Sequence, residues 1–309
     1  MREFRRKFST DAACLAYLIQ CRWPDGFVCP RWSGSQATSI VSRSLFPCRD
    51  CRHQTSPTAG TVMHRSKIPI QEWFWGASLV ATHTPGISAL QLQRQLGIGS
   101  YETAWHLLHR LRRGMVNEGR TPLQGLVEAD EAIIGGPAKK KKGRGVTAAP
   151  HKTLVIGAVE VLTYNDWKGK KERAGRLRLA ILENAGAESI QDFLEKNVLA
   201  GSTVRSDGWR GYAEQVLAGY KHRVRIVRTP ERAHRVAPHI HRVFSNLKTW
   251  LTGTHHGVEP KYLQTYLDEF IFRFNRRLTP MAAFQTLLGI SLQKKPLPLA
   301  HLREAELSG

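Results

Sequence analysis

Long hydrophobic runs are missing from this 309-residue sequence: no stretch approaches the roughly 20 apolar residues a helix needs to cross a bilayer, which excludes a helical membrane protein. Negative charge is scarce. Twenty-five Asp and Glu stand against 46 Lys and Arg, leaving a formal net charge of +21 that favours a polyanionic partner, nucleic acid first. Cysteine is also rare, five in all, and its pattern reads as reduced thiols in a cytoplasmic protein. The opening "MREFRRKFSTDAACLAYLIQCRW" imitates a signal peptide, but its apolar patch is short and no small-residue cleavage site follows. Hydrophobic content is an ordinary 41%, which excludes disorder of the whole chain.

The cysteines are Cys14, Cys21, Cys29, Cys48 and Cys51. "CRDC" at 48–51 is half of a zinc ribbon, and "CPRW" at 29–32 resembles the other half with Trp32 at the position of its last cysteine. A ribbon wants four ligands, usually two C-x-x-C turns, and Cys29, Cys48 and Cys51 make three. Cys21 and His53 are the remaining donors, and neither has the usual spacing. Two readings stay open: a degenerate ribbon that binds zinc weakly or not at all, or a small fold that persists on packing alone.

Residues 66–120 carry helical periodicity, with Ser88 and Ser100 placed as N-caps on either side of Gly97–Gly99. That is helix-turn-helix spacing. In the second helix Trp105, Leu108 and Leu111 are expected inward, while His106, His109, Arg110, Arg112 and Arg113 are expected to face phosphates or a major groove. After residue 122 the pattern turns to strands at 126–134, 152–161, 175–184, 202–207 and 222–228, with an amphipathic helix at 187–198 before the fourth. Three strands, a helix, two strands and further helices suit an α/β domain of ribonuclease-H-like type. Lys139, Lys140, Lys141 and Lys142, between the first two strands, would hold a phosphate backbone near the first strand, unless they form only a solvated loop.

That first strand, "LVEADEAII", is rich in carboxylates. Side chains alternate along a strand, so Glu128 and Asp130 share one face and Glu131 takes the other. Asp207 ends the fourth strand, which neighbours the first in a ribonuclease-H arrangement. Asp130 and Asp207 converging there suit oxygen-ligated Mg²⁺, or Mn²⁺ in its place, and two such ions about 3.5–4 Å apart drive in-line phosphoryl displacement.

"VEADEAIIGG", "VRSDGWRGY", "HRVFSNLKTWLTGTHHGV" and "YLDEFIFRFNRR" resemble, in order and spacing, the transposases of insertion-sequence family 1595, an ISXO-like group of DDE-type enzymes. The resemblance covers most of the chain. It implies an N-terminal zinc ribbon, a helix-turn-helix that reads terminal inverted repeats, and a Mg²⁺-dependent domain that cleaves and joins DNA, with Asp130 and Asp207 as the first two acids. It also implies duplex DNA ends and target DNA as partners, a homo-oligomer assembled on DNA, and a bacterial cytoplasmic, nucleoid-associated location. The expected domains are a zinc-ribbon-like module at 1–65, a helix-turn-helix region at 66–120, the catalytic domain at 121–290 and a tail at 291–309.

The third acid is the departure. Relatives with a glutamate place it seven residues before a lysine, and that position before Lys248 is His241. The group with asparagine instead maps onto Asn246, Lys248, Glu269, Arg273 and Arg276. With Ile240, Val243, Phe244, Leu247 and Leu251 as the buried stripe, His241, Ser245 and Lys248 lie on one flank of the helix and His239, Arg242 and Asn246 on the other. Either His241 or Asn246 is the metal ligand. Glu269 with Arg273 and Arg276 is either a catalytic trio or an intrahelical salt bridge. The sequence thus reads as a DNA transposase, the alternatives being a DNA-binding protein that has lost catalysis and a metal-dependent nuclease.

Overall fold

The computed structural model describes residues 2–38, 40, 44–135, 152–184, 186–206, 212, 217–224 and 236–296. The chain forms two units, one of Met1–Asn117 with Thr279–Gly309 and one of Glu118–Leu278.

In the first unit, Thr10 caps α2 (Asp11–Arg22), its hydroxyl accepting from the Ala13 amide at 3.2 Å, just after the short α1 (Arg2–Lys7). A two-stranded antiparallel ribbon, β1 (Phe46–Pro47) and β2 (Gln54–Thr55), brackets the Cys48–Cys51 turn. Three helices follow: α3 (Ile70–Thr82), α4 (Ala89–Leu96) and α5 (Tyr101–Arg113). Ser88 and Ser100 cap α4 and α5 through their hydroxyls, and Gly97 ends α4 in the left-handed conformation at φ 66°. These are the caps the sequence predicts, and each satisfies an amide that the helix start leaves without a partner.

The last described helix, Pro280–Gln293, belongs to this unit, whereas the sequence reading extends the second domain to residue 290. Phe284 packs its ring within 5.0 Å of Phe4, 5.6 Å of Phe8 and 5.8 Å of Phe74, centroid to centroid, and Leu287 and Leu288 are fully buried. Periodicity gives the helix; it does not say which core the helix completes.

The second unit is a five-stranded sheet flanked by helices. β3 (Leu126–Ile134), β4 (Thr153–Asp166) and β5 (Gly169–Leu182) run antiparallel; β6 (Thr203–Ser206) pairs parallel with β3, and β7 (Lys221–Val224) parallel with β6. The spatial order is β5-β4-β3-β6-β7, so β3 is central. Alternate residues feed two cores. Val127, Ala129, Ile156, Ala158 and Val204 meet Ile190, Phe193 and Leu194 of α6 (Ala187–Asn197). Val155, Val159, Leu177 and Leu179 meet α7 (Pro238–His255) and α8 (Pro260–Asn275) on the other face.

The sheet touches α7 closely at Gly157, where a Cβ would stand 2.8 Å from Ile240 Cδ1 and 3.0 Å from Phe244 Cζ. A methyl group there would cost about 1–3 kcal/mol in overpacking. The outer edge of β5 is covered by α8: the Asn275 carboxamide accepts from the Leu177 amide at 2.7 Å, and Gln264 accepts from Ile181 at 3.1 Å. Two edge amides are thereby paired, which weakens this edge as a template for intermolecular strand addition. β4 and β5 also run beyond the strand limits read at 161 and 175, continuing as a hairpin whose tip residue Trp167 is 88% exposed. Solvent on both faces of that extension leaves no apolar alternation to read.

Candidate active site

Asp130 sits in the middle of β3 opposite Gly157, and alternation points it and Glu128 towards α7. Glu131 takes the opposite face and accepts from the Tyr212 hydroxyl at 2.5 Å. Glu128 is fully buried and anchors the start of α7. Its Oε2 accepts from the His239 and Ile240 amides at 2.7 and 3.0 Å, and its Oε1 accepts from Arg205 at 3.1 Å. A carboxylate at a helix N-terminus satisfies open amides and complements the helix dipole. Arg205 also reaches Glu172 on β5 at 3.4 Å, and His239 Nε2 lies 3.9 Å from the same carboxylate.

Held this way, α7 buries Ile240, Val243, Phe244, Leu247, Trp250 and Leu251. The stripe puts His241 on the flank facing the strand: its Nδ1 is 3.5 Å from Asp130 Oδ2. The buried His241 Nε2 has no hydrogen-bond partner among the described residues. Asn246 and Lys248 are exposed further along α7. Glu269 on α8 is fully buried and pairs with Arg273 at 3.4 Å, four residues on. The Arg276 guanidinium lies 4.0 Å over the Phe272 ring. Among the described residues, the ligand atoms of Asp130, His241 and Glu269 do not gather within 4.8 Å of one another. β6 ends one residue before Asp207, and Asp207 lies outside the described residues, as do Lys139, Lys140, Lys141 and Lys142.

Sequence reasoning missed the anchoring role of Glu128 and its partner Arg205. The signal was present: a second carboxylate on the face of Asp130 needs a counter-charge, and Arg205 pairs directly across from Glu128 in the parallel β3–β6 register.

In the first unit, the sulfurs of Cys29, Cys48 and Cys51 all lie within 4.8 Å of one another. Both turns that carry them are formed. The Ser33 amide donates to the Cys29 carbonyl at 2.8 Å and the Arg52 amide to Cys48 at 2.9 Å, with Ser33 and Arg52 each at φ 59°. Burial raises the Cys29 thiol, but hydrogen bonds from the Arg31 and Trp32 amides and the neighbouring sulfurs outweigh it and hold the thiol below its ordinary range. Three converging sulfurs, one biased to thiolate, are a donor set that fits zinc. Trp32 turns outward, 68% exposed. Cys21 and His53 stand outside the cluster.

The basic face expected of α5 requires correction. Leu108 and Leu111 are buried as expected, but so are His109, Arg110 and Arg112. Arg110 donates to the His64 carbonyl at 2.5 Å and lies 5.3 Å over the Trp73 ring, while Arg112 reaches His109 at 3.4 Å. Long side chains bury their stems against apolar neighbours, so a positive residue on a helix is not automatically a surface residue. His106 and Arg113 remain half-buried, and Arg113 donates to the Lys295 carbonyl at 3.0 Å. Beside α5 lies a cavity of about 220 Å³ lined by Arg65, Lys67, His106, Arg110 and Glu102, among others.

Two family models match the chain: an ISXO2-like transposase domain over residues 122–275 and a transposase zinc-ribbon domain over residues 9–54. The first spans the sheet with α6, α7 and α8, and the second takes in all three clustered cysteines. A comparison with curated proteins gives no match. No described helix is long and apolar enough to cross a membrane. The domain matches agree with the four motifs that the sequence carries around Asp130, Asp207, His241 and Glu269, and the chain belongs to the transposases of insertion-sequence family 1595.

Proposed function

We propose that the second unit is a ribonuclease-H-like domain that cleaves and then joins DNA strands at transposon ends, with Asp130, Asp207 and His241 holding divalent metal. The observation that carries this reading is the approach of His241 Nδ1 to Asp130 Oδ2 at 3.5 Å, on the central strand and the helix packed over it. The strand order, three antiparallel strands and then two parallel ones beside the first, supports the fold assignment. The strand that leads into Asp207 is the parallel neighbour of the strand that carries Asp130.

Asp130 offers hard carboxylate oxygens of the kind Mg²⁺ and Mn²⁺ take, and His241 Nδ1 is the ring nitrogen that faces the same carboxylate. When bound, the metal supplies activation of the attacking oxygen and charge stabilisation at the leaving oxygen. The protein's own part is positional. Glu128 fixes the first turn of α7, so that His241 meets Asp130 in one geometry, and the packing of Phe244 and Ile240 against Gly157 prevents the helix from sliding. Lys248, exposed two turns beyond His241, is the residue we assign to a DNA phosphate contact. Glu269 with Arg273 buttresses α8 as a buried ion pair.

In the first unit we assign α4 and α5 to a helix-turn-helix. With Arg110 and Arg112 buried, its phosphate contacts fall to His106, Arg113 and the exposed Arg65 and Lys67 beside the cavity. A homo-oligomer bridging two DNA ends completes the reading. The test is Asp130→Asn in the full chain: cleavage of end-bearing duplex should be abolished while its binding is largely retained, because one metal-facing charge is lost and no DNA contact is. Cleavage at near the wild-type rate would remove Asp130 from the active site.

A further inference from the structure

The zinc ribbon presents three converging cysteine sulfurs and, at the position of the fourth, an outward-turned Trp32. We propose that Asp50 supplies the fourth ligand, giving a Cys29, Cys48, Cys51 and Asp50 zinc site. The inference rests on the zinc-binding reading of the cluster. Two sulfurs held tetrahedrally at about 2.3 Å from one zinc stand about 3.8 Å apart, and a sulfur and a carboxylate oxygen stand about 3.5 Å apart. Cys29 and Cys51 are 3.6 Å apart, and Asp50 Oδ2 is 3.8 Å from Cys48 Sγ. The Cys29–Cys51 separation matches an edge of a coordination tetrahedron, and Asp50 Oδ2 already stands near edge length from one of the three sulfurs, that of Cys48.

The second observation is the space made for Asp50. Gly34 follows the first cysteine turn, and a Cβ on it would collide with Asp50 Oδ2 and stand 3.6 Å from Cys48 Sγ. The Asp50 carboxylate therefore lies against the backbone of the very turn that lacks its second cysteine, in a cradle that any side chain at position 34 would fill. Asp50 is exposed and stands outside the 4.8 Å group of three sulfurs, so its side chain must swing inward to close the site. The other donors are worse placed. The sulfur of Cys21 interacts with the Tyr17 hydroxyl on α2, and His53 lies outside the group, with its backbone carbonyl accepting from the Cys48 amide at 3.0 Å.

Charge supports the assignment. Three thiolates and one carboxylate around Zn²⁺ carry the same formal charge as four thiolates, whereas water as the fourth ligand leaves the site less negative. Carboxylate oxygen is an accepted zinc donor at about 2.0–2.2 Å.

The experiment is a double-mutant comparison on the full-length protein, stripped with chelator and titrated with Zn²⁺ against a chromophoric competitor, with Co²⁺ absorption as a second readout of the ligand set. Asp50→Ala should weaken zinc binding roughly tenfold or more and alter the Co²⁺ bands. Trp32→Cys should tighten binding, and in that background Asp50→Ala should have little further effect, because cysteine has taken the position. Equal affinity for wild type and Asp50→Ala would overturn the assignment, as would an equal loss in both backgrounds, which would mark Asp50 as merely supporting the turn. Zinc binding by Trp32→Cys alone would overturn it too, while leaving the ribbon as a metal fold. If no variant binds zinc, the zinc reading itself fails and the assignment falls with it.

Discussion

Glu128→Ala is the most informative change near the candidate active site because its effects on stability and chemistry come from the same atoms. The substitution removes the acceptor of two backbone amides at the start of α7 and of the Arg205 guanidinium, in a place with no exposure to solvent. Hydrogen bonds to a charged group contribute about 1.5–3 kcal/mol each, and breaking a buried ion pair costs about 3–5 kcal/mol. These figures overlap and do not add, since Arg205 keeps Glu172 at 3.4 Å as a second partner. A net loss of about 3–5 kcal/mol follows. For a unit of this size, with about 2–4 °C of melting temperature per kcal/mol, the shift is roughly 6–20 °C downward. Scanning calorimetry of wild type, Glu128→Ala and Glu128→Gln measures it, and the Gln variant, which keeps the shape and one oxygen, should fall between the other two. Cleavage should drop in both variants even where they are fully folded, because a loosened α7 no longer holds His241 against Asp130. An Ala variant melting within about 2 °C of wild type would refute the anchoring argument.

A fragment ending at residue 120 lacks the Pro280–Gln293 helix that seals Phe4, Phe8 and Phe74, so it should melt without a cooperative transition; a sharp calorimetric transition would show that the first unit does not need that helix. At Glu160, burial alone raises the carboxyl, yet hydrogen bonds from the Arg176 side chain and from the Gln124 and Arg176 amides hold it below its ordinary value. A depressed carboxyl contributes stability that is complete above the ordinary range and is lost as pH falls through the depressed value. Glu160→Gln should therefore be less stable than wild type at pH 7, with the difference closing in acid; urea midpoints that stay equally separated at both pH values would contradict this.

The sheet was legible because β3 and the first part of β4 are apolar and β-branched, and α7 because its stripe recurs at helical spacing. From that stripe, the sequence alone puts His241 and Asn246 on different flanks, and the structure has His241 against Asp130 while Asn246 is exposed. What was not legible depends on tertiary partners. Arg110 and Arg112 look like a DNA-facing pair until Trp73 and the His64 carbonyl are seen beside Arg110 and His109 beside Arg112. The last described helix joins a core some two hundred residues earlier in the chain, which no local period encodes. Asp50 shows nothing by spacing, because the space its carboxylate occupies is made by Gly34 across the ribbon.

In the proposed site His241, and not Asn246, joins Asp130 at the metals. This assignment is tested by comparing His241→Ala, Asn246→Ala and Glu269→Gln for cleavage across Mg²⁺ and Mn²⁺ concentrations that span saturation. His241→Ala should lose activity severely and recover in part at high Mn²⁺, while Asn246→Ala should keep most of its activity. Severe, Mn²⁺-sensitive loss in Asn246→Ala beside a nearly normal His241→Ala would contradict it.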